Sequence, residues 1–254
     1  MPATKRNVIR AEAKLSDASG ASKGVFVVTR AGDEYLVKAK SLCDMVGPYI
    51  PANELVAVEL ADWLDLPVLA WDYVQLPDGD IGFGSRRMQN AEFGNLNNRM
   101  AALLYDPSYL SAIAVFDLWI ANTDRHSKNL LCRKRRGGTY QVLAHDHSHA
   151  LVREHLDPTK LAEFAANAPR EHFFHSDELR AAVRRCARLE ATLEMISTVH
   201  EDVVRAVVND VPESWMGAAV KELVIVFLLE RSRRIRTLFA TVEDLFPNLV
   251  GGAP

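Results

Sequence analysis

The sequence has few cysteines and no long apolar run. Of its 254 residues only Cys43, Cys132 and Cys186 are cysteines, and no two of them form a Cys-x-x-Cys pair. This excludes a disulfide framework and favours a reducing cytoplasm. The longest apolar run, Leu223–Leu229, is far shorter than the roughly 20 residues that a membrane-spanning helix needs. We therefore expect no membrane segment.

An excess of charge of one sign is also lacking. Lysine and arginine number 30 and aspartate and glutamate 33, for a net charge of -3. This balance argues against direct nucleic-acid binding, and the short basic run Arg133–Arg136 does not change it. The first ten residues lack the apolar segment of a signal peptide. We expect a cytoplasmic globular protein, either one large domain or two lobes that share a cleft.

The first third of the sequence has the patterns of β-structure. Residues 25–30 and 34–39 predict a hairpin around a Gly-Asp turn, and residues 68–76 and 80–83 predict a second one. Between the hairpins, Pro51 begins a predicted helix that ends near Leu64.

After Gly84 the pattern becomes mainly helical. Helices are predicted over residues 98–105 and 107–121, and again from residue 157 almost to residue 243, where Ser176 is a predicted cap. Two short strands, near residues 130–132 and 140–143, interrupt them. The resulting prediction is an α+β protein with a small β-rich lobe, residues 1–84, and a larger, mostly helical lobe, residues 85–254.

The segment Asn122–Asn129 is a polar cluster that follows a strongly apolar helix. Asp124 and Asn129 are five residues apart, the separation between the base and the metal-binding asparagine of a kinase catalytic loop. A predicted hairpin follows, and Asp146 comes directly after it. We predict Asp124 as the base and Asn129 and Asp146 as Mg²⁺ ligands, because Mg²⁺ prefers oxygen ligands. Arg125 or Lys128 is a candidate for charge directed at the phosphates.

The predicted β-rich lobe contains residues suited to nucleotide phosphates. Lys38 lies in an apolar strand and precedes a helix that carries Glu54 and Glu59, the pattern of a lysine–glutamate pair that binds ATP. The segment before the first predicted hairpin is rich in glycine and serine. Its backbone N–H groups are candidates for phosphate binding, and its predicted site residues are Ser19, Gly20 and Ser22.

Two other functions fit parts of the same sequence. His145, His147 and His149 alternate, so on a strand they would face one side and suit Zn²⁺ or Fe, as in a metal-dependent hydrolase. That hypothesis gives Asn129 and Lys38 no role. The second alternative is a pseudokinase module that holds nucleotide without turnover.

Several of these motifs resemble those of HipA-like kinases. The segment Asn122–His126 with Asn129 resembles their N-x-D-R-H-x-x-N loop, and Asp146-His147-Ser148 resembles their second metal motif. The pair Asn53-Glu54, with the Leu-Pro-Val that closes its helix, resembles a segment of their small lobe. Phe83-Gly84-Ser85 resembles the start of the linker in a short subgroup.

The resemblance implies a bilobal protein-kinase-like fold, ATP, Mg²⁺ and transfer to a serine or threonine of a protein acceptor. It implies Asp124 as base, Lys38 as the ATP lysine and Glu54 rather than Glu59 as its partner. The linker residues, among them Arg87 and Met88, would lie near the adenine. Unlike longer HipA toxins, this sequence begins almost directly at the small lobe, which puts a toxin role and an antitoxin-like partner in question.

Overall fold

The computed structural model describes most of the chain, and every structural statement below concerns that part. The described residues are 8–18, 23–43, 47–88, 91–93, 103–152, 158–168, 170 and 173–250.

The N-terminal region is a closed five-stranded barrel. Its strands, in the order β1-β2-β3-β5-β4, are β1 (Val8–Asp17), β2 (Val25–Thr29), β3 (Glu34–Ala39), β4 (Trp71–Gln75) and β5 (Ile81–Arg86). Parallel pairing of β1 with β4 closes the barrel. Both predicted hairpins are confirmed, whereas β1 was not predicted. Apolar and polar residues alternate from Ile9 to Ser16, so a strand signal is present in the sequence, although Ala11 is the one buried residue of β1.

Two helices lie between β3 and β4. They are α1 (Lys40–Cys43) and α2 (Ile50–Trp63), and α2 has proline in its first turn as predicted. Most residues of α2 are buried, the polar Asn53 and Glu54 among them. A helix that is buried on nearly all sides belongs to a core. The polar residues of α2 therefore require partners inside the protein.

The described residues after β5 are mainly helical around one small sheet. The sheet contains β6 (Ala91–Phe93), β7 (Leu130–Lys134) and β8 (Tyr140–Ala144). The helices are α3 (Ser108–Trp119), α4 (Leu161–Ala165), α5 (Asp177–Ala182), α6 (Ala187–Ser197), α7 (Glu201–Asn209), α8 (Ala218–Ala240) and α9 (Pro247–Val250). The predicted fold class, a β-rich N-terminal region followed by a helical one, is confirmed.

Details of the prediction have different outcomes. The Ser176 hydroxyl accepts a hydrogen bond from the Leu179 N–H, so this helix cap is confirmed. Residues 98–102 of a predicted helix lie outside the described residues, and Leu104 pairs with Tyr140 in a β-bridge rather than in a helix. The lobe boundary at residue 84 stays a prediction, and β5 continues past it.

None of the helices in the described ranges is both long and apolar enough to cross a membrane.

A close backbone approach beside Lys38 leads to a prediction. A Cβ at Gly82 would lie 2.7 Å from the carbonyl oxygen of Lys38, so β3 must shift in Gly82→Ala. We expect the free energy of unfolding to fall by about 1–3 kcal/mol, measured by urea denaturation. Gly217→Ala is the control, since its Cβ would meet only the Glu213 carboxylate at 3.6 Å. Equal stability of Gly82→Ala and the wild type would contradict the packing described for β3 and β5.

Candidate active site

A cleft of about 690 Å³ lies between the barrel and the sheet of β6, β7 and β8. The barrel contributes Phe26, Leu36 and Lys38 to its lining, and the sheet side contributes Leu131 and Asp146. The segment after β5 contributes Arg87 and Met88, the residues predicted to lie near the adenine. Apolar side chains combined with a few charged groups are typical of a small-molecule site.

Lys38 is the buried cation of this cleft. Its Nζ donates to Glu54 Oε1 at 2.6 Å, to Asp146 Oδ1 at 2.7 Å and to the Ser148 hydroxyl at 2.8 Å. The structure therefore pairs Lys38 with Glu54 of α2, the partner that the resemblance favours over Glu59. Three acceptors match the three N–H donors of an ammonium group.

Opposite charges decide the protonation of this cluster. Burial by itself would lower the pKa of Lys38, but the nearby carboxylates of Asp146 and Glu54 outweigh burial and raise it well above the usual value. Burial likewise opposes ionisation of both carboxylates, and the Lys38 charge outweighs it and holds the pKa values of Glu54 and Asp146 below their usual range. All three groups are therefore charged at neutral pH.

Two adjacent residues of α2 hold the loop that carries Asp146. The Asn53 amide donates to the carbonyls of Ser148, at 3.2 Å, and Val152, at 2.9 Å. Glu54 Oε2 accepts the backbone N–H of His147 at 3.0 Å. These contacts explain the burial of both polar residues of α2, and they bind the barrel region to the loop after β8.

The segment between α3 and β7 forms a compact loop around Asp124. The Asn129 amide donates to the Asp124 carbonyl at 2.7 Å and to Asp124 Oδ2 at 3.1 Å. The Asn122 side chain accepts the Asp124 N–H at 3.2 Å. Asp124 and Asn129, predicted from their spacing, are thus in direct contact, and Asp124 remains about one-third exposed.

Arg125 supports this loop from inside the protein. Its guanidinium forms a two-point ion pair with Asp117 of α3, with N–O distances of 2.7 and 3.0 Å, and both side chains are fully buried. It also donates to the carbonyls of Asn129 and His145. The prediction that Arg125 directs charge at phosphates is wrong, because its side chain is fully buried, is paired with Asp117 and does not line the cleft. For Lys128, which is exposed, that role stays a prediction.

Sequence reasoning missed two residues that hold the loop around Asp124 in place. They are Asp117, which pairs with Arg125, and Asn122, whose amide donates to Asp117 at 2.8 Å. The available signal was an aspartate inside the apolar run from Leu110 to Ile120. A carboxylate in such a helix is costly to bury and requires a cationic partner.

The three alternating histidines do not form a metal site. The strand β8 ends at Ala144, so the alternation stops before the histidines begin. His145 contacts the Lys128 carbonyl at 3.0 Å, whereas the buried His147 packs edge-on against Phe116. Burial lowers the pKa of His145 to about 4, so it is neutral at pH 7. Among the described residues no three acidic, histidine or cysteine side chains lie close enough to hold one metal ion.

A magnesium site shared with a nucleotide fits the residues present. The hydrogen bonds of Asp146 with Lys38 and Ser148 all use Oδ1. The side chain is nevertheless 25% exposed and lines the cleft, where Oδ2 could bind a metal ion. The Asn129 amide nitrogen is directed at Asp124, which leaves its oxygen for another partner. Two oxygen ligands are few, but Mg²⁺ commonly completes its shell with phosphates and water. Ser19, Gly20 and Ser22, the predicted phosphate loop, lie outside the described residues.

The comparison with one solved kinase structure agrees with a kinase fold. The proinflammatory kinase CtkA of Helicobacter pylori is 15% identical, with a TM-score of 0.64 over 94% of this chain and 99% of that one. HipA of Shewanella oneidensis MR-1, solved with HipB and operator DNA, is 14% identical, with a TM-score of 0.46 over 96% of this chain and 69% of its own. No curated protein sequence gives a significant match. The model of the HipA-like kinase family matches residues 15–243, and the chain belongs to that family.

Proposed function

We propose that this protein is an ATP-dependent kinase that phosphorylates serine or threonine of a protein acceptor. The observation that carries the proposal is the contact of Lys38 with both Glu54 and Asp146 in the wall of the cleft. A lysine held by a helix glutamate beside a metal-binding aspartate is the arrangement that protein kinases use for ATP phosphates.

In this proposal the cleft binds the nucleotide through two kinds of contact. The apolar lining, which includes Leu36 and Leu131, accommodates the adenine near Arg87 and Met88. Lys38 donates to the phosphates once it exchanges its hydrogen bond to Asp146 for one to a phosphate oxygen. Glu54 stays paired with Lys38 and keeps the ammonium directed at the same place. Asn129 and Asp146 would hold Mg²⁺, which when bound neutralises negative charge on the phosphates.

Asp124 is the proposed base. Its carboxylate is partly exposed and is oriented by the Asn129 amide, which supports a role in accepting or orienting the proton of an acceptor hydroxyl. Arg125 and Asn122 hold the backbone of the surrounding loop. Arg125 donates to the Asn129 carbonyl, and the Asn122 side chain accepts the Asp124 N–H. In this proposal the acceptor hydroxyl binds at Asp124 and receives the phosphate from the nucleotide held by Lys38.

Replacement of Asp146 with asparagine tests the metal role. The variant keeps the size of the side chain but removes the charge that both Lys38 and a metal ion need. We expect Mg²⁺ to strengthen the binding of a fluorescent ATP analogue to the wild type and to have almost no effect on Asp146→Asn, with phosphoryl transfer lowered at least about 100-fold. Isothermal titration calorimetry with and without Mg²⁺ measures the affinity of each protein for the ATP analogue. Full activity of Asp146→Asn would refute the metal assignment.

The remaining alternative, a pseudokinase, predicts another result for the same samples. It would bind the nucleotide and transfer no phosphate. The acceptor protein and an antitoxin-like partner remain predictions, and mass spectrometry of a host lysate after incubation with the protein and ATP would identify phosphorylated acceptors.

A further inference from the structure

Ser148 lies at the centre of the Lys38 cluster and has no role in the function proposed above. It is 3% exposed and follows Asp146 by two residues. Its hydroxyl oxygen lies 2.8 Å from Lys38 Nζ, 3.0 Å from Glu54 Oε1 and 2.8 Å from Asp146 Oδ1. One small side chain therefore contacts the cation and both carboxylates.

The hydrogen-bonding capacity of a hydroxyl limits what these contacts mean. A serine hydroxyl has one proton to donate and two lone pairs that accept. Lys38 is a donor only, so Ser148 accepts from it. Ser148 can therefore donate its single hydrogen bond to one carboxylate at a time, either Asp146 or Glu54.

The position of this hydroxyl is fixed by the surrounding backbone. The Asn53 amide holds the Ser148 carbonyl at 3.2 Å, and Glu54 holds the preceding N–H of His147. Both anchors belong to the buried helix α2. The hydroxyl therefore keeps its place when Asp146 changes partner. Glu54 Oε1, at 3.0 Å, can then accept its hydrogen bond.

We propose that Ser148 is a positioning residue for nucleotide binding, which holds the Lys38 ammonium in place while Asp146 exchanges Lys38 for a nucleotide-bound partner. During this exchange Lys38 redirects one N–H from Asp146 to phosphate, and its other two stay on Glu54 and Ser148. The Ser148 hydroxyl rotates and donates its hydrogen bond to Glu54 instead of Asp146. The inference rests on the proposed function and adds a residue to it.

A double-mutant cycle with Lys38 tests this inference. The measured quantity is the dissociation constant of a fluorescent ATP analogue for the wild type, Ser148→Ala, Lys38→Met and the double variant. We expect Ser148→Ala to weaken binding by roughly 10- to 100-fold, as for a lost hydrogen bond to a charged group. In the Lys38→Met background the same change should have no further effect, because Ser148 acts through Lys38.

Two further variants separate positioning from general support of the fold. Ser148→Thr retains the hydroxyl and should restore most of the affinity that Ser148→Ala loses. Ser232→Ala is the matched control, because Ser232 is another buried serine, and among the described residues its hydroxyl bonds only the Leu229 carbonyl in α8. Circular dichroism checks that each variant is folded. If Ser148→Ala unfolds, Ser148→Cys takes its place, since a thiol keeps the volume but is a weak hydrogen-bonding group.

The possible results are distinct. A loss that disappears in the Lys38→Met background supports the inference. Equal losses in both backgrounds, or an affinity of Ser148→Ala equal to that of the wild type, would overturn it while leaving the proposed function intact. A wild-type protein that binds no ATP analogue would overturn the proposed function together with the inference.

Discussion

Asp124→Asn is expected to lower the rate of phosphoryl transfer by about 10²–10⁴-fold, the range for removal of a general base. The substitution preserves the size of the side chain and removes its charge, so the acceptor hydroxyl loses the group that takes or orients its proton. Nucleotide affinity should stay close to that of the wild type, because the contacts of Lys38, Glu54 and Asp146 do not involve Asp124.

The measurement is transfer of labelled phosphate at saturating ATP, with the dissociation constant of the nucleotide measured beside it. Asp65→Asn is the control, since Asp65 is exposed in the turn after α2 and its left-handed backbone, with φ of 56°, suits asparagine. Loss of activity in Asp124→Asn but not in Asp65→Asn is the expected pair of results. A fully active Asp124→Asn would show that another group serves as the base.

Arg125→Met is expected to lower the free energy of unfolding by about 3–5 kcal/mol, the cost of breaking a buried ion pair from one side. Both side chains of the pair are fully buried, so the substitution leaves the Asp117 carboxylate without its cation. It also removes the donor that joins the carbonyls of Asn129 and His145. We therefore expect activity to fall even at temperatures where the variant remains folded.

Urea denaturation measures the stability of this variant and of two comparisons. Arg170→Met removes one side of an exposed pair with Asp244 and should leave stability almost unchanged. The double variant Asp117→Leu with Arg125→Met should be more stable than Arg125→Met alone, since it leaves no buried charge unpaired. Equal stability of Arg125→Met and the wild type would contradict the buried pair.

The parts of the site that sequence predicts well are those with a fixed spacing. The separation of Asp124 and Asn129 and the hairpin before Asp146 follow from local chain geometry, and the structure brings the first two into contact. Lys38 is predictable because an isolated lysine in an apolar strand stands out. Its pairing with Glu54 required the resemblance to the family, because Glu54 and Glu59 both follow Lys38 in the same helix.

Other features depend on contacts that no local pattern reveals. Arg125 looks like an exposed loop cation in the sequence, and only the fold places it beside Asp117 inside the protein. The histidines after β8 look like a strand face, but the chain turns at Asp146, where φ is 55°, and the side chains separate. The strand β1, by contrast, carries a local signal, because apolar and polar residues alternate from Ile9 to Ser16. The signal is weak, since two of its apolar residues are alanines, which are depleted in strands, and its side chains are mainly exposed.

The central claim is that this chain transfers phosphate from ATP through the cleft that contains Lys38 and Asp146. The most direct measurement is incubation of the purified wild type with γ-labelled ATP and Mg²⁺, followed by mass spectrometry of the protein and of a host lysate. We predict label on serine or threonine of a protein, lost in Asp124→Asn and Asp146→Asn. Nucleotide binding without any labelled protein, or label that persists in both variants, would contradict the account.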